Sequence, residues 1–498
     1  SGKIFDLAKR GNVSLWKELS SYFAQPEVKV MLAHTSDGVE KPERRTFLMA
    51  NRVCEQLAFR LFERFVKQIS GGNVIESIQA LSGIAPILVV LAPYIYGFSS
   101  QAPSRVWLRD VCRQLTGSIP PALQNRKRAW FTDTLEDVNG VSTTICRMVA
   151  AAAEAGEELV VVTSLGELHL DGIPVKNFQP IGEFELPEYE LQKLSFPPIL
   201  QILDYVQREQ FTEIIISTPG PMGLTGLLAA KMLNLRTSGI YHTDFPEYIR
   251  ILTEDKFLES LAWTYMRWFY GQQETVFVNS EQYRRSWIDR GIEATKLKIL
   301  PRGLDTELFT ATRRDPVFWR RFGWKDDAAV RLLYVGRVSK EKDLDVLAAA
   351  YRQLRAAHVA VQLFVVGVGP YTKALARLLP DAIFTGYLAG EELATAYASA
   401  DIFVFPSTTD TFGNVILEAQ ASGLPVVVSD VGGPCELVEE GVNGFITRAL
   451  DAEGFAAAVR TLASDGALRA RMSEAARASV ANRSWPRAFR RFWAATAE

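Results

Sequence analysis

Two textures of apolar spacing divide the chain. Over residues 1–125 the apolar positions recur at helical intervals. In Arg52–Ile69 (RVCEQLAFRLFERFVKQI) charges stand between them, and Val106–Leu115 repeats the pattern. This part reads as a helix-rich extension of unassigned role. From Arg128 onward the apolar residues come instead in short continuous runs: RAWFTDTL at 128–135, LVVVTS at 159–164, TEIIIS at 212–217, TSGIYH at 237–242 and TVFVN at 275–279. Helical patterns separate them, the first over Val141–Ala155. A second series follows, with runs at Leu332–Val335, Gln362–Val366, Ile402–Phe405 and Pro425–Ser429. Buried strands alternating with helices predict parallel sheets with right-handed crossovers. The expected fold class is α/β: two Rossmann-like domains, at 126–305 and 306–480, facing across a cleft and preceded by the extension. Residues 481–498 follow as a tail. Its basic, aromatic segment Arg483–Trp493 (RSWPRAFRRFW) has helical spacing. It suits a membrane surface or packing back on the first domain, and the second is the preferred expectation.

Composition narrows the function classes. The 498 residues are 48% apolar and 22% charged, with a formal charge of −2. No global basic field points to nucleic acid, and none is expected as a partner. The four cysteines, Cys54, Cys112, Cys146 and Cys435, form no CxxC pair. They read as reduced thiols, with a cytoplasmic location expected. The four histidines, His34, His169, His242 and His358, are too scattered for a protein-built metal site, so no metal is expected. The run Gly83–Phe98 carries no charge, but it falls short of the ~20 residues of a bilayer span and contains Pro86 and Pro93. A buried element is preferred there over membrane contact.

Chemistry concentrates at strand ends. In FPSTTDTFGNVILEAQASGLP (405–425) a strand ends, a loop follows, and a helix starts near Phe412 or Gly413. Free amides and the positive dipole end there suit a diphosphate, with Thr411, Phe412 and Gly413 at the helix start. Asp410 just ahead of the helix and Glu418 two turns inside it can accept hydrogen bonds from sugar hydroxyls. They can equally be a helix cap and an ordinary surface acid. In GRVSKEK (336–342), Gly336 follows a strand, and Arg337 and Lys342 can neutralise a departing diphosphate. Two solvated surface cations are the plain alternative. Gly140, in NGV at 139–141, opens a strand-to-helix turn and can bring amides against a ligand. YHTDFPEY (241–248) delivers His242 and Asp244 to a strand end. His242 reads as a sugar-hydroxyl partner, a general base or a satisfied core histidine. GVGP at 367–370 offers Gly367 for the nucleotide floor, and FTGYL at 384–388 offers Gly386 and Tyr387 to a base edge.

The order and spacing of GRVSKEK, GVGP, ADIFVFPS (400–407) and DTFGNVILEAQASGLPVVVSD (410–430) resemble the retaining glycosyltransferases of the two-Rossmann-domain (GT-B) fold, family 4. The resemblance covers about residues 126–498. With YHTDFPEY and NGVSTT it is strongest to the branch of sulfoquinovosyl-diacylglycerol synthases and bacterial glycolipid or mannosyl transferases. It implies that Arg337 and Lys342 grip the donor diphosphate, that Glu418 holds the ribose, and that Thr411, Phe412 and Gly413 supply backbone donors. It further implies that Gly140 belongs to the first-domain glycine loop and that His242 stands near the sugar. Asp410 falls where the family usually has glutamate, one methylene longer, which leaves the donor sugar open. The family needs no metal and no cofactor beyond the nucleotide sugar itself. The expected activity is retaining transfer of a hexose from a nucleotide sugar, UDP-linked, to an acceptor hydroxyl on a glycan or lipid. Peripheral contact with the inner face of a membrane goes with that acceptor. The alternatives are a non-catalytic nucleotide-sugar-binding regulator on the same scaffold, or a sugar-nucleotide epimerase or phosphorylase.

Overall fold

A computed structural model describes residues 105–498 apart from 125, 136–139, 171, 186–192, 254, 325–327 and 497–498, together with scattered positions between 24 and 59. The uncharged run 83–98, most of the helical pattern at 52–69 and the turn residues Asp137 to Asn139 lie outside the described residues. Arg105–Thr116 is a helix, as its spacing predicts. The chain divides into two compact units: residues 1–136 with 157–237, and residues 137–156 with 238–498.

In the first unit, β1 (Lys127–Phe131), β2 (Glu158–Thr163), β3 (Val175–Asn177) and β6 (Glu213–Ile216) run parallel in the order β3-β2-β1-β6. Trp130, Phe131, Val161, Val162 and Ile214 to Ile216 are fully buried, as expected for strands covered on both faces. Asp133, just past β1, accepts from Thr218 Oγ1 at 2.5 Å and from Met222 N at 2.8 Å. Burial raises its carboxyl to about 6 even so. These bonds tie the end of β1 to the start of the helix Pro221–Leu233. A two-stranded antiparallel ribbon, β4 (Gly182–Glu185) with β5 (Lys193–Phe196), had no signal in the apolar pattern, because each strand is four residues long and charged.

The second unit opens with helix α1 (Gly140–Glu154). It holds the parallel run β7-β8-β9, from Arg236–Tyr241, Thr275–Val278 and Leu297–Ile299. Helices α2 (Lys256–Gly271) and α3 (Glu281–Asp289) flank β8 in sequence. The second series forms a six-stranded sheet of β10 (Val330–Val335), β11 (Val361–Val366), β12 (Ile383–Gly386), β13 (Ile402–Phe405), β14 (Val426–Ser429) and β15 (Gly444–Thr447). Its order, β12-β11-β10-β13-β14-β15, is all parallel. The order reverses between β10 and β13, and ligands of such sheets bind beyond the carboxyl ends of the strands at that point. Edge strand β15 was not anticipated, since Gly444–Thr447 has no continuous apolar run. The start of helix α4 lies one or two residues later than expected, at Asn414–Ala421. The tail forms helix α5 (Trp485–Ala495), which packs against α1. Phe492 is fully buried with its ring 4.9 Å from that of Phe277, and Lys298 Nζ donates to Ala495 O at 2.7 Å.

Candidate active site where two helix starts meet

The site residues that follow belong to the second unit. The end of β10 and the end of β13 flank the switch point, so the 336–342 and 406–413 loops leave the sheet side by side. Asp343, held in a left-handed conformation, accepts from Thr408 N at 2.9 Å and Thr408 Oγ1 at 2.7 Å. Thr409 Oγ1 donates to Glu341 O at 2.8 Å. Stitched this way, the loops place Lys342 Nζ 2.8 Å from Asp410 Oδ2. Both side chains are largely buried, at 12% and 22% exposure. Neither is the independent surface ion or simple helix cap that the plain reading allowed. Arg337, on the same loop, is exposed, and its backbone carbonyl accepts from Tyr334 Oη at 3.0 Å.

Three glycines form a ledge across adjacent strand ends. Gly336 N donates to Val366 O at 3.0 Å, and Gly367 N donates to Gly386 O at 2.8 Å. A Cβ on Gly367 would stand 1.9 Å from Gly336 O, with φ at +132°, so only glycine fits there. Tyr387 follows Gly386 and is exposed. The ledge brings Gly367, expected for the nucleotide floor, together with Gly336 and Gly386, and Tyr387 follows in sequence.

Helix α4 begins at Asn414, with Gly413 in the left-handed region at φ +88°. Asp410 O accepts from Gly433 N at 2.8 Å, which fixes the approach to the helix. Gly140, the first residue of α1, stands so close to Asn414 that a Cβ on it would lie 3.0 Å from Asn414 Nδ2. Two helix N-termini therefore converge, and both present free amides and positive dipole ends. Asn414 Oδ1 is buried without a hydrogen-bond partner.

Glu418 lies one turn further into α4. Its Oε2 accepts from Tyr397 Oη at 2.9 Å, and burial pushes its carboxyl up to about 7 against that hydrogen bond. An ordinary surface glutamate it is not. His242, at the end of β7, is buried. Burial first, then the charge of Arg302, hold its ring well below its ordinary value. Thr411 Oγ1 donates to His242 O at 2.5 Å, which joins the histidine to the loop ahead of α4.

Sequence reasoning missed Arg302 and Asn279. Arg302 is 8% exposed and follows β9. Its Nη2 donates to Asn279 Oδ1 at 2.9 Å and lies 3.3 Å from His242 Nδ1, and its Nη1 bonds Thr144 Oγ1 of α1. Its guanidinium sits 5.3 Å from the Phe412 ring centroid. Asn279 Nδ2 in turn donates to Thr411 Oγ1 at 2.7 Å. The available signal was positional: each is a polar residue at the carboxyl end of a parallel strand. Burial lowers the Arg302 guanidinium to about 9. Among the described residues no group of three or more histidine, cysteine or acidic side chains is arranged to hold a metal ion. Cys112, Cys146 and Cys435 are free, and no described helix is long and apolar enough to cross a membrane.

The chemistry of this site, Lys342 paired with Asp410 ahead of converging helix starts and Glu418 deeper along α4, can be set against known proteins. Residues 138–308 match the model described as Glycosyltransferase Family 4, and residues 329–465 match that of Glycosyl transferases group 1. The sulfoquinovosyl transferase SQD2 of Arabidopsis thaliana is 32% identical over 358 residues, 70% of this chain and 68% of that one. A GDP-mannose-dependent alpha-mannosyltransferase of Mycobacterium tuberculosis is 32% identical over 361 residues, 71% of this chain and 91% of that one. Among solved structures, Anabaena HepE in complex with UDP-glucose superposes with a TM-score of 0.59 at 21% identity, covering 74% of this chain and 99% of its own. Sucrose-phosphate synthase of Thermosynechococcus elongatus gives 0.62 at 20%, covering 74% of this chain and all of its own. The structural likenesses establish the fold, and the sequence relatives are named transferases, so the non-catalytic regulator, the epimerase and the phosphorylase fall away. The chain belongs to the group 1, family 4 glycosyltransferases, enzymes that use nucleotide-sugar donors.

Proposed function

We propose that the enzyme moves a hexose from a UDP-linked donor to an acceptor hydroxyl with retention at the anomeric carbon, and that the acceptor is a lipid or membrane-associated glycan. The observation that carries the reading is Lys342 Nζ at 2.8 Å from Asp410 Oδ2, directly ahead of the start of α4. An arriving diphosphate takes over the Lys342 ammonium, and Asp410 turns to the sugar hydroxyls. As the glycosidic C–O bond breaks, its electron pair goes to the diphosphate. Arg337, Lys342 and the amides of the first turn of α4 stabilise that charge. They supply the positive charge that a cofactor-free, metal-free reaction needs. The sugar passes through an oxocarbenium-like state. The acceptor oxygen attacks from the face the diphosphate leaves, and its proton passes to a leaving phosphate oxygen. With Asp410 turned to the sugar hydroxyls rather than to the anomeric carbon, same-face attack is favoured over a covalent glycosyl-enzyme.

In this reading Glu418 accepts from the ribose hydroxyls. The glycine ledge lies under the diphosphate, and Tyr387 lies by the base. His242 donates to a sugar hydroxyl. The UDP assignment is supported by the fold shared with HepE, solved with UDP-glucose. The lipid acceptor is supported by two observations. A relative over 310 residues, at 26% identity, is the alpha-monoglucosyldiacylglycerol synthase of Streptococcus pneumoniae. Phe257, Leu261 and Trp268 are exposed on α2, with helical spacing that sets them toward one side. Peripheral contact with a membrane follows from such an acceptor.

A second donor reading, GDP-mannose, is favoured by the mannosyltransferase relatives. Thermal shift with UDP-glucose and GDP-mannose separates the two, since a bound donor raises apparent stability by mass action. Product formation on diacylglycerol acceptors, with the anomeric configuration read by NMR, tests the rest. An inverted product sinks the retaining reading. Stabilisation by GDP-mannose alone sinks the UDP reading.

A further inference from the structure

A cavity of about 440 Å³ lies in the second unit, beyond the ends of β8 and β9 and alongside the start of α5. Arg302, Arg483, Arg487 and Arg491 line it, with Ser280 and Phe412. Arg487 and Arg491 are one turn apart on α5, and Arg483 precedes that helix. Four guanidinium side chains on one small cavity repel one another. The Arg483 guanidinium is lowered, by burial first and by the charge of Arg491 second. Among the described residues none of Arg483, Arg487 and Arg491 makes an ion pair. The acid on the wall, Glu436, is already engaged: its oxygens accept from Glu281 N at 2.7 Å and Gln282 N at 2.6 Å, at the first turn of α3. Arg302 is buried, and its Nε has no hydrogen-bond partner. The glycine ledge and the Lys342–Asp410 pair are not on this cavity's wall.

We infer that the cavity is a second anion site, separate from the donor ledge, which takes a phosphate monoester or diester group. Guanidinium groups bind phosphate oxygens through paired N–H donors in a fixed fork. A phosphate also removes the mutual repulsion of Arg483, Arg487 and Arg491 and offers acceptors to the unpartnered Arg302 edge. Arg302 carries the consequence toward the transfer site, because its Nη2 also holds His242 and Asn279, the latter itself on the cavity wall. The group can arrive on a free small molecule or on a lipid headgroup, and the two sources share this chemistry.

The test uses the full chain and two probes. Thermal shift with inorganic phosphate, at ionic strength matched with chloride, is expected to give a saturable rise in Tm. In the Arg487→Gln/Arg491→Gln double variant the phosphate midpoint moves up at least tenfold, whereas Lys342→Ala responds like wild type. Arg487 and Arg491 are exposed, so their loss leaves the core intact. Should the double variant fail to fold, Arg491→Gln alone is read in the same way. Co-sedimentation with phosphatidylcholine vesicles containing phosphatidic acid, against phosphatidylcholine alone, is the second arm. Arginine-dependent vesicle binding with no response to inorganic phosphate identifies a headgroup, and the reverse identifies a free phosphate compound. A phosphate response that survives in the arginine variants but is lost in Lys342→Ala overturns the inference, because the donor ledge then binds the ion. Absence of response to both probes overturns it as well.

Discussion

Arg302 Nη2 stands 3.3 Å from His242 Nδ1, and an arginine N–H can only donate. Nδ1 is therefore the acceptor, and the ring carries its proton on Nε2. Burial and the Arg302 charge keep the ring neutral. A histidine in that state donates from Nε2 and is not poised to take a proton there, so the general-base reading of His242 loses its footing.

The first prediction follows from that tautomer. Glutamine can reproduce both contacts, accepting from Arg302 and donating onward. His242→Gln is expected to keep kcat/KM within about tenfold of wild type, the scale of one altered hydrogen bond. A lost general base costs ~10²–10⁴-fold. Steady-state kinetics of His242→Gln decide between the two, and a loss of a thousandfold would restore the base.

Lys342 and Asp410 lead to a second expectation. If Lys342 meets charge that develops as the diphosphate leaves, Lys342→Ala lowers kcat by about 10²–10³, the scale of a removed oxyanion donor. KM for the donor changes less. Asp410→Glu restores the length usual in the family and is expected to shift donor-sugar preference more than total turnover. Competition between two nucleotide sugars in one reaction measures this, and an unchanged ratio removes Asp410 from sugar selection.

Much of this site was legible in the sequence for a physical reason. Gly336, Gly367, Asp410 and Glu418 sit in local blocks whose glycines and helix start fix their own geometry, so reading one block suffices. The α4 start needed no distant partner to be seen, whereas the ledge forms only when the ends of β10, β11 and β12 come together. What escaped was pairing over long separations. Arg302 meets Thr144, Asn279 and His242 only after β7, β8, β9 and α1 have assembled. Tyr397, which holds Glu418, arrives from a helix whose sequence GEELATAYA carries no motif. The strands that escaped, β3, β4, β5, β9 and β15, are three or four residues long and take their pairing from neighbours rather than from apolar content.

The tail provides a stability prediction. Phe492 is fully buried and packs 4.9 Å from Phe277. Phe492→Ala removes a core aromatic and is expected to cost ~3–5 kcal/mol, with the depth of the loss set by how far α5 can settle. Arg490→Ala, an exposed position on the same helix, is expected to stay within ~0.5 kcal/mol. Denaturant midpoints for the two variants compare them directly. Equal midpoints mean that α5 does not anchor on β8.

Glu418 sets the pH dependence. Its carboxyl is raised from 4.5 to about 7 by burial, so between those values the folded protein holds a proton that the unfolded chain has lost. Its contribution to stability is full below pH 4.5 and disappears as pH rises through about 7. His242 acts in the opposite direction. Its ring is held well below 6.5, so acid protonates the unfolded chain first and stability falls as pH drops below 6.5. Replacing Glu418 with glutamine removes the first effect and leaves the second. Glu418→Gln should therefore lose less stability than wild type between pH 5 and 8. Binding carries the same proton. Ribose hydroxyls donate best to the ionised carboxylate, so donor affinity is expected to tighten by about tenfold from pH 6 to 8 in wild type and to stay flat in Glu418→Gln. Titration calorimetry with UDP-glucose, whose diphosphate does not titrate between pH 6 and 8, at four pH values resolves it. An equal pH dependence in the variant means that the titrating group is not Glu418 and that the ribose is held elsewhere.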